Sequence, residues 1–141
     1  LKGVFMQRDC ANCINFRKVV IVGCGFVGSA TAFSLMQSGL FTEIAMIDSD
    51  RQRAEGEALD ISHGIAFSKP MKIHAGDYND IQDASIVIVT AGASQKPGET
   101  RLDLVKNNIE IFKSIIPKIK RLRLSFNLCA CCNIFVCVAY S

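Results

Sequence analysis

Gly23, Gly25 and Gly28 follow the apolar run Val19-Val20-Ile21-Val22 in the order G-x-G-x-x-G, and glycines at that spacing build a phosphate cradle at the mouth of a helix. The first lets the chain turn sharply out of a strand. The second keeps any side chain from standing between the backbone and a pyrophosphate, and the third lets the helix pack close to the sheet. Free N–H groups and the positive helix end then face the anion. Asp48 closes the next apolar run, Ile44-Ala45-Met46-Ile47, 20 residues past Gly28. A carboxylate there accepts hydrogen bonds from the ribose hydroxyls of an adenosine and repels a 2′-phosphate, which favours NAD over NADP. The same aspartate also reads as a turn residue ahead of a helix.

Arg101 offers a second kind of chemistry. It falls in the first turn of a helix, where the macrodipole disfavours a cation by about 0.3–1 kcal/mol, so structure alone favours an acid there. A guanidinium carried to a carbonyl oxygen would stabilise the charge that develops as a hydride reaches the carbon. The segment before it, Gly92-Ala93-Ser94-Gln95-Lys96-Pro97-Gly98-Glu99, is rich in turn formers and could close as a lid that sheds water. A solvated surface arginine is the bland alternative. Tyr78 likewise reads as either a packing aromatic or a ligand contact.

These residues need a frame, and the hydrophobic pattern over 17–120 supplies one. Short β-runs alternate with helical periods, the signature of βαβ units and a Rossmann-type, doubly wound parallel sheet of the α/β class. Strands are expected at 18–22, 43–48, 71–75 and 85–90. Helices are expected at 26–38, closed by Gly39, and from an N-cap at Ser49 to Gly64, with Ala54, Ala58 and Ile61 buried. A last helix starts with Thr100 as N-cap and Asp103 as its partner. Its apolar stripe reads Val105, Ile109, Phe112, Ile116 and Ile119, and Pro117 should kink or end it.

In such a sheet the ligand sits outside the carboxyl ends of the strands, which here carry 23–28, Asp48, 76–78 and 90–95. The 141 residues, 50% apolar and 21% charged, suit one globular core. A net charge of +3 with scattered Lys and Arg gives no argument for a nucleic-acid partner. Of the 7 cysteines, 6 cluster near the two ends and only Cys24 lies in the organised middle, unlike a disulfide scaffold, and no signal peptide opens the chain, so a reducing cytoplasmic setting is expected.

Several segments together carry a family resemblance. Val20-Ile21-Val22-Gly23-Cys24-Gly25-Phe26-Val27-Gly28-Ser29, Ile47-Asp48, 54–64, Thr90-Ala91-Gly92-Ala93 and, most specific of all, Gln95-Lys96-Pro97-Gly98-Glu99-Thr100-Arg101-Leu102 resemble the amino-terminal, NAD-binding half of the L-lactate dehydrogenases. These belong to the lactate/malate dehydrogenase family, and the resemblance covers 17–120. It implies that Arg101 is catalytic, polarising the carbonyl of pyruvate, and that the segment before it is the mobile substrate loop. It also implies that Gln95 binds substrate, standing where malate dehydrogenases carry an arginine for a second carboxylate; a neutral amide suits pyruvate or lactate instead. Position by position, Val27, Asp48, Arg53, Tyr78, Gly92, Ala93 and Ser114 would line the NAD site with the glycines, no metal is called for, and the family suggests a homo-tetramer.

The family's proton-carrying histidine, the aspartate that holds it and a second arginine belong to a carboxyl-terminal half. His63 matches a helix-end position and His74 a strand, so neither is expected to act as the general base. This sequence is thus expected to be a truncated Rossmann unit lacking the substrate and catalytic domain, with 1–16 an irregular extension and 121–141 a divergent, cysteine-rich tail. For the tail the readings are a reading-frame shift or truncated product, a zinc site from Cys10, Cys13, Cys129, Cys131 and Cys132, a membrane anchor over 128–140, or a diverged buried strand. The anchor is short of the roughly 20 residues a spanning helix needs. A module that holds the dinucleotide without catalysis, and a malate dehydrogenase, stand as alternative functions.

Overall fold

In the computed structural model the described residues are 15–94, 97–98 and 100–122, together with the backbone of 127–131 and 134–138. Four strands, β1 (Asn15–Val22), β2 (Glu43–Ile47), β3 (Lys72–Ala75) and β4 (Ala84–Val89), run parallel, with β1 paired to both β2 and β4. Between them lie α1 (Phe26–Ser38) and α2 (Arg51–His63), and α3 (Arg101–Leu122) follows β4. The four strands lie in the order β3-β2-β1-β4, which means that the chain, after adding strands in one direction, crosses back to the far side of β1. That reversal opens a crevice between the ends of β1 and β4.

Both faces of the sheet are covered, as the continuous apolar strands require. Alternate residues of β1 point to opposite sides. Val19 and Ile21 join Met36 of α1 and Ala54, Ala58 and Ile61 of α2 in one core, and Val20 and Val22 join Val87, Val89, Ile115 and Ile119 in the other. The α2 stripe and the Gly39 cap, at φ 61°, are those expected from the sequence. The N-cap of α2 is Asp50 rather than Ser49: its carboxylate accepts the N–H of Arg53 at 3.2 Å, one residue later than the spacing suggested.

Helix α3 departs from expectation in two ways. Ile119 is buried and Phe112 packs against the core as the expected stripe has them, but Ile115 is buried too, while Val105 and Ile109 stand 53% and 46% exposed. The helix carries two apolar stripes, and the one through Ile111, Ile115 and Ile119 faces the sheet. It also runs through Pro117 without ending. Ile115 and Ile119 are buried on either side of the proline, and their packing holds the turn that the missing N–H weakens.

Beyond β4 the sheet gains an antiparallel pair: β6 (Ile134–Val138) lies along β4, with Val89 opposite Phe135, and β5 (Asn127–Cys131) lies outside β6. The 128–140 run weighed as an anchor therefore includes strands, and among the described residues no helix is long and apolar enough to cross a membrane. The cysteine side chains invoked for a zinc site lie outside the described residues.

At the amino ends of the strands sits a buried cation. Lys18 is 4% exposed, and its Nζ lies 2.8 Å from Asp83, 3.0 Å from Asp80 and 3.7 Å from Glu43. Burial disfavours its charge, but the hydrogen bonds to Asp83 and Asp80 outweigh this and raise its pKa. His74 Nε2 meets Glu43 Oε1 at 2.9 Å. Glu43, His74 and Asp80 bring potential ligand atoms within 4.8 Å of one another; the Lys18 ammonium already supplies the positive charge that a metal would bring.

Candidate functional site

At the opposite, carboxyl end of the strands the Gly23 turn is pinned on both sides. Gly23 N–H donates to Ile47 O at 2.7 Å, Thr90 N–H to Val22 O at 2.8 Å, and the Thr90 hydroxyl to Gly23 O at 2.8 Å. Gly23 has φ +105°, and a Cβ on it would stand 2.6 Å from Ala91 N. A Cβ on Gly28 would run into the carbonyl oxygen of Gly23, so this glycine is what lets α1 approach the turn. Gly25 differs from both: nothing lies within 4 Å of its Cβ position, and its φ of −77° suits any residue. It is the N-cap of α1, has no side-chain cap and has no acid in the following turn. The first-turn amides of such a helix start have no intrahelical acceptor, and the space in front of them is open.

Asp48 faces this turn. Its Oδ2 accepts the N–H of Cys24 at 2.6 Å, and its Oδ1 accepts the N–H of Asp50 at 2.9 Å and the Ser49 hydroxyl at 3.3 Å. Burial works against its charge, but these bonds and the Arg53 guanidinium prevail and hold its carboxyl below the usual carboxylate range. The Cys24 thiol is pushed up to about 12, first by burial and then by the charges of Asp48 and Glu57, which makes it an inert wall of the turn.

A cavity of about 590 Å³ lies here, lined in part by Gly23, Gly25, Asp48, Arg53, Tyr78, Gly92 and Ser114. All of these were singled out from the sequence. Val27, Gly28 and Ala93 stand just outside the lining: Val27 is half exposed on α1, Gly28 lies beneath the turn, and Ala93 N–H donates to Asn108 Oδ1 at 2.8 Å. Glu57 of α2 and Lys118 of α3 also line the cavity and were not expected there. Arg101 is exposed as the first residue of α3, behind Thr100, whose hydroxyl accepts the Asp103 N–H at 3.3 Å and donates to the Asp103 carboxylate at 2.5 Å. Gln95 lies outside the described residues. His63 and His74 are both away from the lining.

An open, uncapped helix start beside a charged carboxylate fits an anionic dinucleotide, with the phosphates over Gly25 and a ribose at Asp48. A model of the NAD-binding domain of lactate/malate dehydrogenases matches residues 17–135. The chain belongs to the lactate/malate dehydrogenase family. Among members of that family, the L-lactate dehydrogenase of Thermoanaerobacterium saccharolyticum is 56% identical over 102 residues, which are 72% of this chain and 33% of the relative. The solved minor L-lactate dehydrogenase of Enterococcus mundtii superposes with a TM-score of 0.72 at 45% identity, over 76% of this chain and 34% of that one. The malate dehydrogenase of Archaeoglobus fulgidus, solved in complex with NADH, gives 0.69 at 41% identity over 76% and 37%. The chain thus spans about a third of the length of the family members it matches, and NAD is the cofactor named for the domain model it fits.

Proposed function

We propose that this chain is the NAD-holding part of an L-lactate dehydrogenase, reducing pyruvate to lactate when whole, with 17–120 as the cofactor domain and 1–16 and 121–141 as flanking segments. The observation that carries the cofactor side is the 2.6 Å bond from Cys24 N–H to Asp48. It ties the ribose-reading carboxylate to the phosphate-facing turn. The amides at the start of α1 bind the pyrophosphate, Asp48 accepts from the adenosine ribose, and Arg53, Tyr78, Gly92 and Ser114 wall the site, with Val27 and Ala93 flanking it. When bound, the reduced cofactor, NADH, would supply the hydride and be left as NAD+.

On the substrate side the reading rests on residue type and on the likeness to L-lactate dehydrogenases. Arg101 brings a guanidinium to the substrate carbonyl and stabilises the oxygen as charge builds on it. Gln95 offers a neutral amide, which suits the methyl group of pyruvate better than a second carboxylate. A cytoplasmic setting and a homo-tetramer are part of the same proposal. Neither His63 nor His74 lines the cavity, so the 141-residue chain is expected to bind NADH without reducing pyruvate.

Gly25→Val tests the cofactor reading. Its Cβ position is open and its backbone angles suit a β-branched residue, so the fold should tolerate valine while the cradle fills. Calorimetric titration should show NADH binding to the parent chain and none to the variant at an unchanged Tm. Equal binding by both would overturn the reading.

A further inference from the structure

The basic stretch at the end of α3 contains a side chain with a more specific placement. Lys118 Nζ lies 5.0 Å from the centroid of the Tyr78 ring, and both residues line the cavity that contains Asp48, Arg53 and Ser114. An ammonium within about 6 Å of a ring is drawn to its negative face. Tyr78 is half buried, and its phenol is pushed up by burial and by the Asp48 charge, so the ring and the ribose-reading carboxylate share one electrostatic neighbourhood. Tyr78 belongs to the turn after β3 and Lys118 to α3. The contact therefore joins two separate elements across the adenosine end of the cavity, where Ser114 stands one helical turn away on the same helix.

We propose that Lys118 is a positioning residue for the adenosine half of the cofactor: its ammonium fixes the Tyr78 ring as a wall of the pocket. This rests on the NAD reading above. Lys118 is solvent-exposed, so its replacement leaves the core alone, and a cation on a ring at an exposed site is worth ~2- to 5-fold in affinity.

The test uses the 141-residue chain with Lys118→Met, which keeps the stem and removes the charge, and Lys118→Arg, which returns a cation to the ring. Calorimetry with NADH, ADP-ribose and inorganic pyrophosphate reads the three parts separately. Lys118→Met should weaken NADH and ADP-ribose by ~2- to 5-fold, leave pyrophosphate binding and Tm unchanged, and be rescued by Lys118→Arg. The same affinities in the methionine variant and the parent would overturn the role of Lys118 alone. So would a loss shared equally by pyrophosphate, which marks a general cation, or a failure of arginine to rescue. A parent chain that binds neither NADH nor ADP-ribose would overturn the NAD reading and this inference together.

Discussion

Replacing Asp48 by asparagine keeps the shape of the side chain and removes its charge. In the structure Oδ2 holds one partner, Cys24 N–H at 2.6 Å, and Oδ1 holds two, Asp50 N–H at 2.9 Å and the Ser49 hydroxyl at 3.3 Å. A carboxylate has about four acceptor sites, so Oδ2 retains one for a ribose hydroxyl, and the long Ser49 contact is the one a second hydroxyl can displace. A hydrogen bond to a charged group contributes ~1.5–3 kcal/mol, which is ~10- to 150-fold in Kd. Asp48→Asn should therefore weaken NADH by about that factor. NADPH should behave differently, because its 2′-phosphate meets a carboxylate that the surrounding amides keep ionised; losing that charge relieves the repulsion. Calorimetry with both nucleotides should show the preference for NADH narrowing. An unchanged Kd for NADH, or an unchanged ratio between the two, with Tm confirming an intact fold, would refute the assignment of Asp48 to the ribose.

Two predictions concern stability. Gly23→Ala places a Cβ 2.6 Å from Ala91 N at φ +105°, and should cost ~3 kcal/mol, lowering Tm by roughly 10 °C; a variant melting with the parent would remove the structural reason for this glycine. Acid should destabilise the fold in stages. His74 is depressed below 6.5, chiefly by burial and then by Lys72, so the unfolded chain takes up a proton first as pH falls through 6.5 and stability declines until the native value is passed. Asp48 and Asp80 are also depressed, against their burial, by amide hydrogen bonds and nearby cations. Their contributions are present above the ordinary carboxylate pKa of 3.8 and are lost as pH falls through the lower native values. Thermal melts from neutral to acid pH should show both steps, and His74→Gln should abolish only the upper one; a variant that keeps it would place the early decline elsewhere.

The cofactor turn was legible because its chemistry is local. Glycines at fixed offsets after an apolar run leave few conformations, and neighbouring parallel strands carry Gly23 and Asp48 to the same end of the sheet. Arg53 and Ser114 came from likeness to the family, and both line the cavity. What stayed hidden depends on how helices rotate against the sheet. Val105 and Ile109 offered as good a stripe as Ile111 and Ile115, and only packing against β4 and Ile81 decides between them. The same rotation brings Lys118 to the cavity, where no short motif points to it. The N-cap at Asp50 in place of Ser49 is a one-residue ambiguity between two good capping side chains. Lys18 carries no comparable signal: a lysine opening an apolar strand is as readily solvated, and only the fold brings Glu43, Asp80 and Asp83 to it.

The buried Lys18 ion cluster also sets how this protein can diversify. Three acids, one from β2 and two from the connection between β3 and β4, answer to one ammonium, and removing that cation would strand their charges in a half-dry place. Lys18, Glu43, Asp80 and Asp83 consequently form one heritable unit whose members tolerate exchange in compensated sets, with strongly non-additive effects when altered singly. The cofactor turn is held mainly through backbone amides and carbonyls, so side chains around it can change without a compensating charge, whereas a change at the other end of the sheet calls for one.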